Sequence, residues 1–368
     1  MKKVLVLVAD YPNNNGGVAL MYVHVRNKYY VQHDIDVTVL NFAALEDYVI
    51  DGISVITLKE YEKQSKLYDV LVLHASNIRN HYKFLKKYDN RFPHIIFFYH
   101  GHECVRINEV YPEPYDYMKK GKFRVAFQDL YDSFKLSIWN KYLPKVAYKS
   151  DYVFVSNWLY QEFQKYVGLE NSDLHNHVHV INNSVGEEFE RYSYQYQGDK
   201  TYDFITIRSY MDDSKYCVDL VNELAEKYFQ YSFLIIGRGK YYDTHKKPNN
   251  VTWIDRFLTH KEIRDYIDQS RCGLLLTRED TQGVMTCELA EYGIPVITSD
   301  IDVCKEICGD LKNVELISNN LSESDLTQIY NSLLLGIPYS KQGKFSYKNT
   351  VEIEESLITA ALKRGTTS

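Results

Sequence analysis

Two carboxylates, Asp280 and Glu288, stand eight residues apart around one glycine, Gly283, in the stretch from Thr277 to Ser299. An apolar run ends at Thr277, an acidic loop follows, and a helical pattern begins at Val284 or Met285. Gly293, Ile294 and Pro295 stop that helix before another apolar run. A helix start presents unpaired backbone N–H groups and a partial positive charge, so Val284 and Met285 suit a bound phosphate. Gly283 lets the backbone approach a ligand closely. Asp280 and Glu288 suit sugar and ribose hydroxyls, because each carboxylate accepts two hydrogen bonds at once. The plainer reading is a surface helix with solvated acids.

Two further groups carry chemistry. Arg208 closes the apolar run Ile205–Ile207, and Lys215 follows seven residues later. The first offers a planar fork and the second a point charge; by spacing alone they are also two ordinary surface cations. Phe233–Ile236 ends in Gly237-Arg238-Gly239. That turn lacks the full GxGxxG fingerprint with its ribose acid, which argues against a dehydrogenase.

The elements that must position these residues are short β-branched runs alternating with amphipathic stretches. Val4–Ala9, Val37–Asn41, Val70–His74, Ile95–Tyr99, Tyr152–Ser156 and Val178–Asn182 read as buried parallel strands. Helical stretches such as Val18–Tyr30 and Ile78–Tyr88 separate them. Gly186–Thr201 is polar and aperiodic and reads as a linker. A second set then follows: Phe204–Arg208, Ser232–Ile236, Val251–Ile254, Cys272–Thr277, Val296–Ser299 and Val314–Ile317. The pattern predicts an α/β protein with two doubly wound domains, 1–185 and 202–345, joined by a linker over 186–201. A terminal helix lies within 346–368. Such halves bind ligands at the carboxyl ends of their strands, in a cleft.

The segment Asp280–Val296 resembles the E-x7-E region of glycosyltransferase family 4, the retaining group 1 enzymes of GT-B fold. Asp280, Gly283, Glu288, Ala290, Gly293, Pro295 and Val296 match the family pattern, whose first acid is usually Glu; either Asp280 or Glu279 takes that place. The resemblance extends in order over nearly the whole chain. It implies two Rossmann-like domains facing a central cleft, the first binding acceptor and the second donor, with the terminal helix crossing back to the first. It assigns Arg208 and Lys215 to the donor diphosphate, Glu288 to ribose, Asp280 or Glu279 to the sugar, and the Gly237 turn to the base pocket. The glycine loop after the first strand, Gly16 and Gly17, falls near the donor phosphates. His100, with His102 second, falls near the donor sugar, and Glu103 and Arg106 are candidate acceptor contacts. The resemblance further implies a hexosyltransferase that uses a nucleotide-sugar, UDP-linked by preference, and needs no metal or other cofactor. The acceptor is a glycan or a lipid-linked one in cell-surface polysaccharide biosynthesis. Two rivals share the architecture: an inactive GT-B partner protein and a sugar-nucleotide epimerase.

The formal charge of −6, from 49 acidic and 43 basic side chains among 368 residues, excludes a protein that coats nucleic acid over its whole surface. The six cysteines form no CxxC pair and no zinc spacing. The apolar run after Lys2-Lys3 is too short for a signal peptide, and no run reaches the roughly 20 residues of a membrane span. A cytoplasmic protein is expected. One stretch departs from the acidic balance. Between Tyr117 and Lys149 eight cations face only Asp129 and Asp132, with aromatics interleaved. This composition suits peripheral contact with an anionic membrane at the inner face of the plasma membrane. It equally suits an amphipathic helix with core aromatics and solvated lysines.

Overall fold

The β-branched runs form two sheets in a computed structural model that describes residues 2–17, 19–119 and 121–365, with side chains as far as Ala360. The first sheet contains β1 (Lys2–Val8), β2 (Ile35–Asn41), β3 (Tyr48–Ile50), β4 (Ile53–Ile56), β5 (Val70–His74), β6 (His94–Tyr99), β7 (Ser150–Phe154) and β8 (Val178–Val180). Its order is β3-β4-β2-β1-β5-β6-β7-β8. The second contains β9 (Tyr202–Tyr210), β10 (Phe233–Arg238), β11 (Val251–Ile254), β12 (Ser270–Leu275), β13 (Val296–Ser299) and β14 (Val314–Ile317), in the order β11-β10-β9-β12-β13-β14. Every neighbouring pair is parallel except β3–β4. Helices cover both faces of such sheets, so central strands like β5 and β6 are buried throughout and are apolar except for His74 and His94 at their ends.

The antiparallel pair was not among the expected strands. Its turn is Asp51-Gly52, with φ of 49° and 79°, the left-handed pair that a tight hairpin requires. The short strands that flank it, three and four residues, gave no periodic signal. The segment 186–201 is more ordered than its polarity suggests. Glu187–Arg191 forms a helical turn with Phe189 fully buried, and the Tyr194 hydroxyl donates to the Ser270 carbonyl at 2.6 Å.

The chain divides into two compact units. One comprises 1–107, 128–184 and 347–368; the other comprises 108–127 and 185–346. The segment 108–127 therefore belongs with the second unit, although the strand pattern groups it with the first. Its tyrosines explain this: Tyr115 donates to Asp219 at 2.8 Å and Tyr117 to Asp212 at 2.9 Å. The terminal helix Val351–Gly365 belongs to the first unit. There Arg26 Nε donates to both oxygens of Glu354, at 2.8 and 3.0 Å, and Tyr30 donates to the same carboxylate at 2.6 Å. All six cysteines are free and buried.

Each sheet has a point where strand order reverses, between β1 and β5 in the first and between β9 and β12 in the second. Loops leaving the two strands there diverge and open a crevice at their carboxyl ends. Arg208 ends the buried part of β9, and Thr277–Asp280 follows β12.

Candidate active site

At the reversal point of the second sheet Arg208 reaches across from β9, its Nη2 donating to the Leu276 carbonyl at 2.7 Å. It is 8% exposed, and its Nε has no hydrogen-bond partner. The guanidinium lies 4.9 Å from the centre of the Tyr216 ring. The same ring stands 4.7 Å from Lys215 Nζ, and the ring of Tyr111 stands 5.3 Å from it. Neither cation makes an ion pair among the described residues. Burial opposes the charge on Lys215, but Tyr216, Asp280 and Asp213 outweigh it and raise its pKa, so the side chain is a cation at neutral pH.

The backbone around this pair is built to hold it. A Cβ on Gly237 would lie 2.3 Å from the Arg208 carbonyl oxygen, so β10 passes β9 here only with glycine. The Lys215 carbonyl accepts from the Arg278 N–H at 2.8 Å and the Thr277 hydroxyl at 3.0 Å. Arg278 itself is fully engaged. It donates to the Ser214 carbonyl at 2.7 Å and grips Asp219 with two nitrogens, at 2.9 and 2.6 Å. Burial would raise the Asp219 pKa, but Arg278 and Tyr115 outweigh it and hold the carboxyl below its ordinary range. Arg278 thus braces the loop with its charge neutralised, while Arg208 and Lys215 keep theirs.

The acidic segment sits beside them. The helix Val284–Tyr292 begins at Gly283, with no side chain capping its first N–H groups and no acid in its first turn. A Cβ on Gly283 would meet Asp280 Oδ2 at 3.2 Å and Thr286 Oγ1 at 3.1 Å. Glycine at this position leaves room for the Asp280 carboxylate beside the helix start. Asp280 Oδ1 also accepts the Thr281 N–H at 2.8 Å, and Glu279 Oε1 accepts the Asp280 N–H at 3.1 Å. Glu279 is turned onto its neighbour's backbone, whereas Asp280 raises the Lys215 pKa through its charge.

Glu288 lies deeper, 3% exposed. Burial raises its pKa, opposed by His260 and by the Gly186 N–H that its carboxylate accepts. His260 Nε2 stands 3.8 Å from Glu288 Oε1, beyond hydrogen-bond range.

In the first unit Gly16 and Gly17 close the loop after β1. Asn13 Oδ1 accepts the N–H groups of Asn15 and Gly17, at 2.9 and 3.2 Å. His100 follows β6 and its Nε2 is hydrogen-bonded to Nδ1 of the buried His74 at 3.0 Å. Burial and the nearby Arg26 charge push the His100 pKa well down, so the ring is neutral. His102 is exposed. Glu103, expected as an acceptor contact, is buried and its carboxylate accepts the His100 N–H; it shapes the turn from within. Its pKa is raised by burial. Among the described residues no three His, Cys, Asp or Glu side chains are grouped to hold a metal ion.

The residues not foreseen are Tyr111, Tyr216, Arg278, His74 and His260. Arg278 adjoins the acidic segment, but its partner Asp219 lies 59 residues away, which no local pattern announces.

Two doubly wound, largely parallel units in series are the architecture of the GT-B fold. Residues 205–334 match the family model of glycosyl transferases group 1, a span that contains Arg208, Lys215, Gly237, Asp280 and Glu288. Solved structures resemble the chain over its full length. Sucrose-phosphate synthase from Thermosynechococcus elongatus aligns with a TM-score of 0.70 at 11% identity, covering 99% of this chain and 100% of that one. A UDP-forming trehalose-phosphate synthase from Burkholderia vietnamiensis gives 0.63 at 12%, covering 100% and 98%. WaaG, a glycosyltransferase involved in lipopolysaccharide biosynthesis, gives 0.59 at 11%, covering 99% and 95%. No curated protein matches the sequence.

Proposed function

We propose that this protein is a retaining glycosyltransferase that moves a hexose from a nucleotide-sugar, UDP-linked by preference, to a glycan or lipid-linked acceptor of the cell surface. The observation that carries the reading is the pair Arg208 and Lys215: two half-buried or buried cations at a sheet switch point, held by aromatic rings and paired with no carboxylate. Uncompensated buried charge is costly unless a ligand supplies the counter-charge. A diphosphate does so, and the uncapped helix start at Val284 and Met285 adds backbone donors to it.

On this reading the bond between the sugar's anomeric carbon and the diphosphate breaks, and a bond from the acceptor oxygen to the same carbon forms. The proton of the acceptor hydroxyl passes to the departing phosphate. Arg208, Lys215 and the helix start stabilise the charge that builds on the leaving group. Asp280 takes the sugar hydroxyls and Glu288 the ribose. The acceptor is bound by the first unit, where His100 offers a neutral imidazole that hydrogen-bonds without adding charge. The proposed site needs no metal, because its cations are side chains.

Product analysis tests this. The pure chain, given UDP-glucose or another nucleotide-sugar with an oligosaccharide or polyprenyl-linked acceptor, yields free nucleoside diphosphate and a glycoside of unchanged anomeric configuration by NMR, in the presence of EDTA. A C2- or C4-epimerised sugar formed without acceptor, or no turnover with any donor, contradicts it.

The membrane setting has its own support in the helix Lys122–Val146. Trp139, Tyr142, Leu136 and Leu143 face the core. Phe123, Phe127, Leu130 and Phe134 do not: they are exposed, Phe123 to 95%, at the 4-3-4 spacing of one helix face. Lys141 and Lys145, also exposed, follow on that same face, Lys141 about five turns after Phe123. An apolar stripe continued by cations fits an anionic lipid surface, which receives the rings among its acyl chains and the lysines at its headgroups. No helix among the described residues is long and apolar enough to cross a membrane.

A further inference from the structure

Arg278 and Lys215 are neighbours in space held by opposite means. Arg278 is gripped by the carboxylate of Asp219, which neutralises it. Lys215 is held between rings. A carboxylate ion-paired with Lys215 would compete with any anionic ligand, whereas Asp280 and Asp213 act on it from beyond ion-pair distance. An aromatic face attracts the same ammonium by its quadrupole and leaves the charge in place. One of the two rings, Tyr216, is the next residue in sequence. The other, Tyr111, comes from more than a hundred residues away, on the segment 108–127 that packs with the second unit.

That segment is tied down where it passes the Lys215 loop. The Ser214 hydroxyl donates to the Glu113 carbonyl at 2.6 Å. Tyr115 and Tyr117 are bonded to Asp219 and Asp212, and their rings stack with centroids 5.8 Å apart. Tyr115 also packs on Tyr241 at 5.3 Å. These anchors begin two residues after Tyr111 and hold the segment beside the Lys215 loop, where the Tyr111 ring meets Lys215.

We infer that Tyr111 is a positioning residue for the phosphate-binding lysine: with Tyr216 it holds the Lys215 ammonium in place, fully charged, for a diphosphate. The inference rests on reading Arg208 and Lys215 as the phosphate site and adds to it a residue from outside the second unit's own strand–helix repeat. A free lysine carries four rotatable bonds, and fixing them in advance is what raises affinity for the anion.

The test is a double-mutant cycle read by calorimetric titration of UDP, with inorganic pyrophosphate as the probe that lacks a base. Tyr111→Leu weakens both ligands by about 3- to 30-fold, the range of a cation–π contact. Tyr111→Phe, which keeps the ring face, stays within about twofold of wild type. In a Lys215→Ala background Tyr111→Leu has no further effect, because the group it positions is gone. Tyr111→Met, which keeps bulk without a ring, behaves as Tyr111→Leu and serves if that variant is poorly folded. Unaltered binding in Tyr111→Leu, or an equal loss with and without Lys215, overturns the inference while the phosphate site stands. Unaltered binding in Lys215→Ala overturns both.

Discussion

Tyr216 serves two cations at once, with Arg208 at 4.9 Å and Lys215 at 4.7 Å from its ring centre. Neither cation has a carboxylate within ion-pair distance among the described residues, so the ring takes the place a counter-charge would fill. Glu288 is the complementary case, a single acid held in a buried place. Its folded pKa is raised above the ordinary value of 4.5 by burial. Protonation is therefore favoured on folding, and the stabilising contribution is complete below about pH 4.5 and is lost as pH rises through the folded pKa. Glu288→Gln removes the penalty. Its melting temperature relative to wild type rises between pH 4.5 and the folded pKa and then levels off. A difference that is flat across that range contradicts the sign. If the carboxylate also holds ribose, the same variant weakens UDP by about tenfold, the scale of one charge-assisted hydrogen bond.

At the scale of elements the helix Lys122–Val146 divides its labour along its length. Its second half is packed by Trp139, Tyr142 and Leu143, and Lys135 is buried with Asp132 at 2.8 Å. Its first half presents Phe123, Phe127, Leu130 and Phe134 to solvent. Flotation with vesicles distinguishes the parts. The chain binds vesicles containing phosphatidylserine more than pure phosphatidylcholine, and added salt weakens binding. Phe127→Glu with Phe134→Glu abolishes binding to both. Lys141→Glu with Lys145→Glu removes only the preference for the anionic lipid. No binding by wild type, or equal binding by all variants, contradicts the lipid surface and leaves a second copy of the chain as the occupant. Composition marked this stretch as unusual but not which rings face outward. That depends on where the helix meets its sheet. The strands were legible in detail for the opposite reason. Val70–His74 and Val296–Ser299 are buried throughout, so each reads as a nearly continuous apolar run, and the edge strands Val251–Ile254 and Val314–Ile317 expose only Thr252 and Glu315. The Asp280–Glu288 turn was legible because strand end, loop and helix start are contiguous. Tyr111, the Arg278–Asp219 pair and the Gly186–Glu288 contact were not, since each joins residues more than fifty positions apart.

For the molecule as a whole, exposed cations without ion pairs are common, and the informative ones are those that are buried or half-buried. Arg26, Arg256, Arg264 and Arg278 are all paired with carboxylates. Arg208 and Lys215 are not, and they stand at the switch point of the sheet, within the span that matches group 1 glycosyltransferases. What these two cations bind decides between a donor diphosphate site and a structural pair. Titration of UDP, GDP and ADP into wild type and Lys215→Ala tests it most directly. One nucleoside diphosphate binds wild type, and the loss of the ammonium weakens it by about 10- to 100-fold. Binding that is unchanged in Lys215→Ala, or absent for all three nucleotides in wild type, contradicts a donor diphosphate site here.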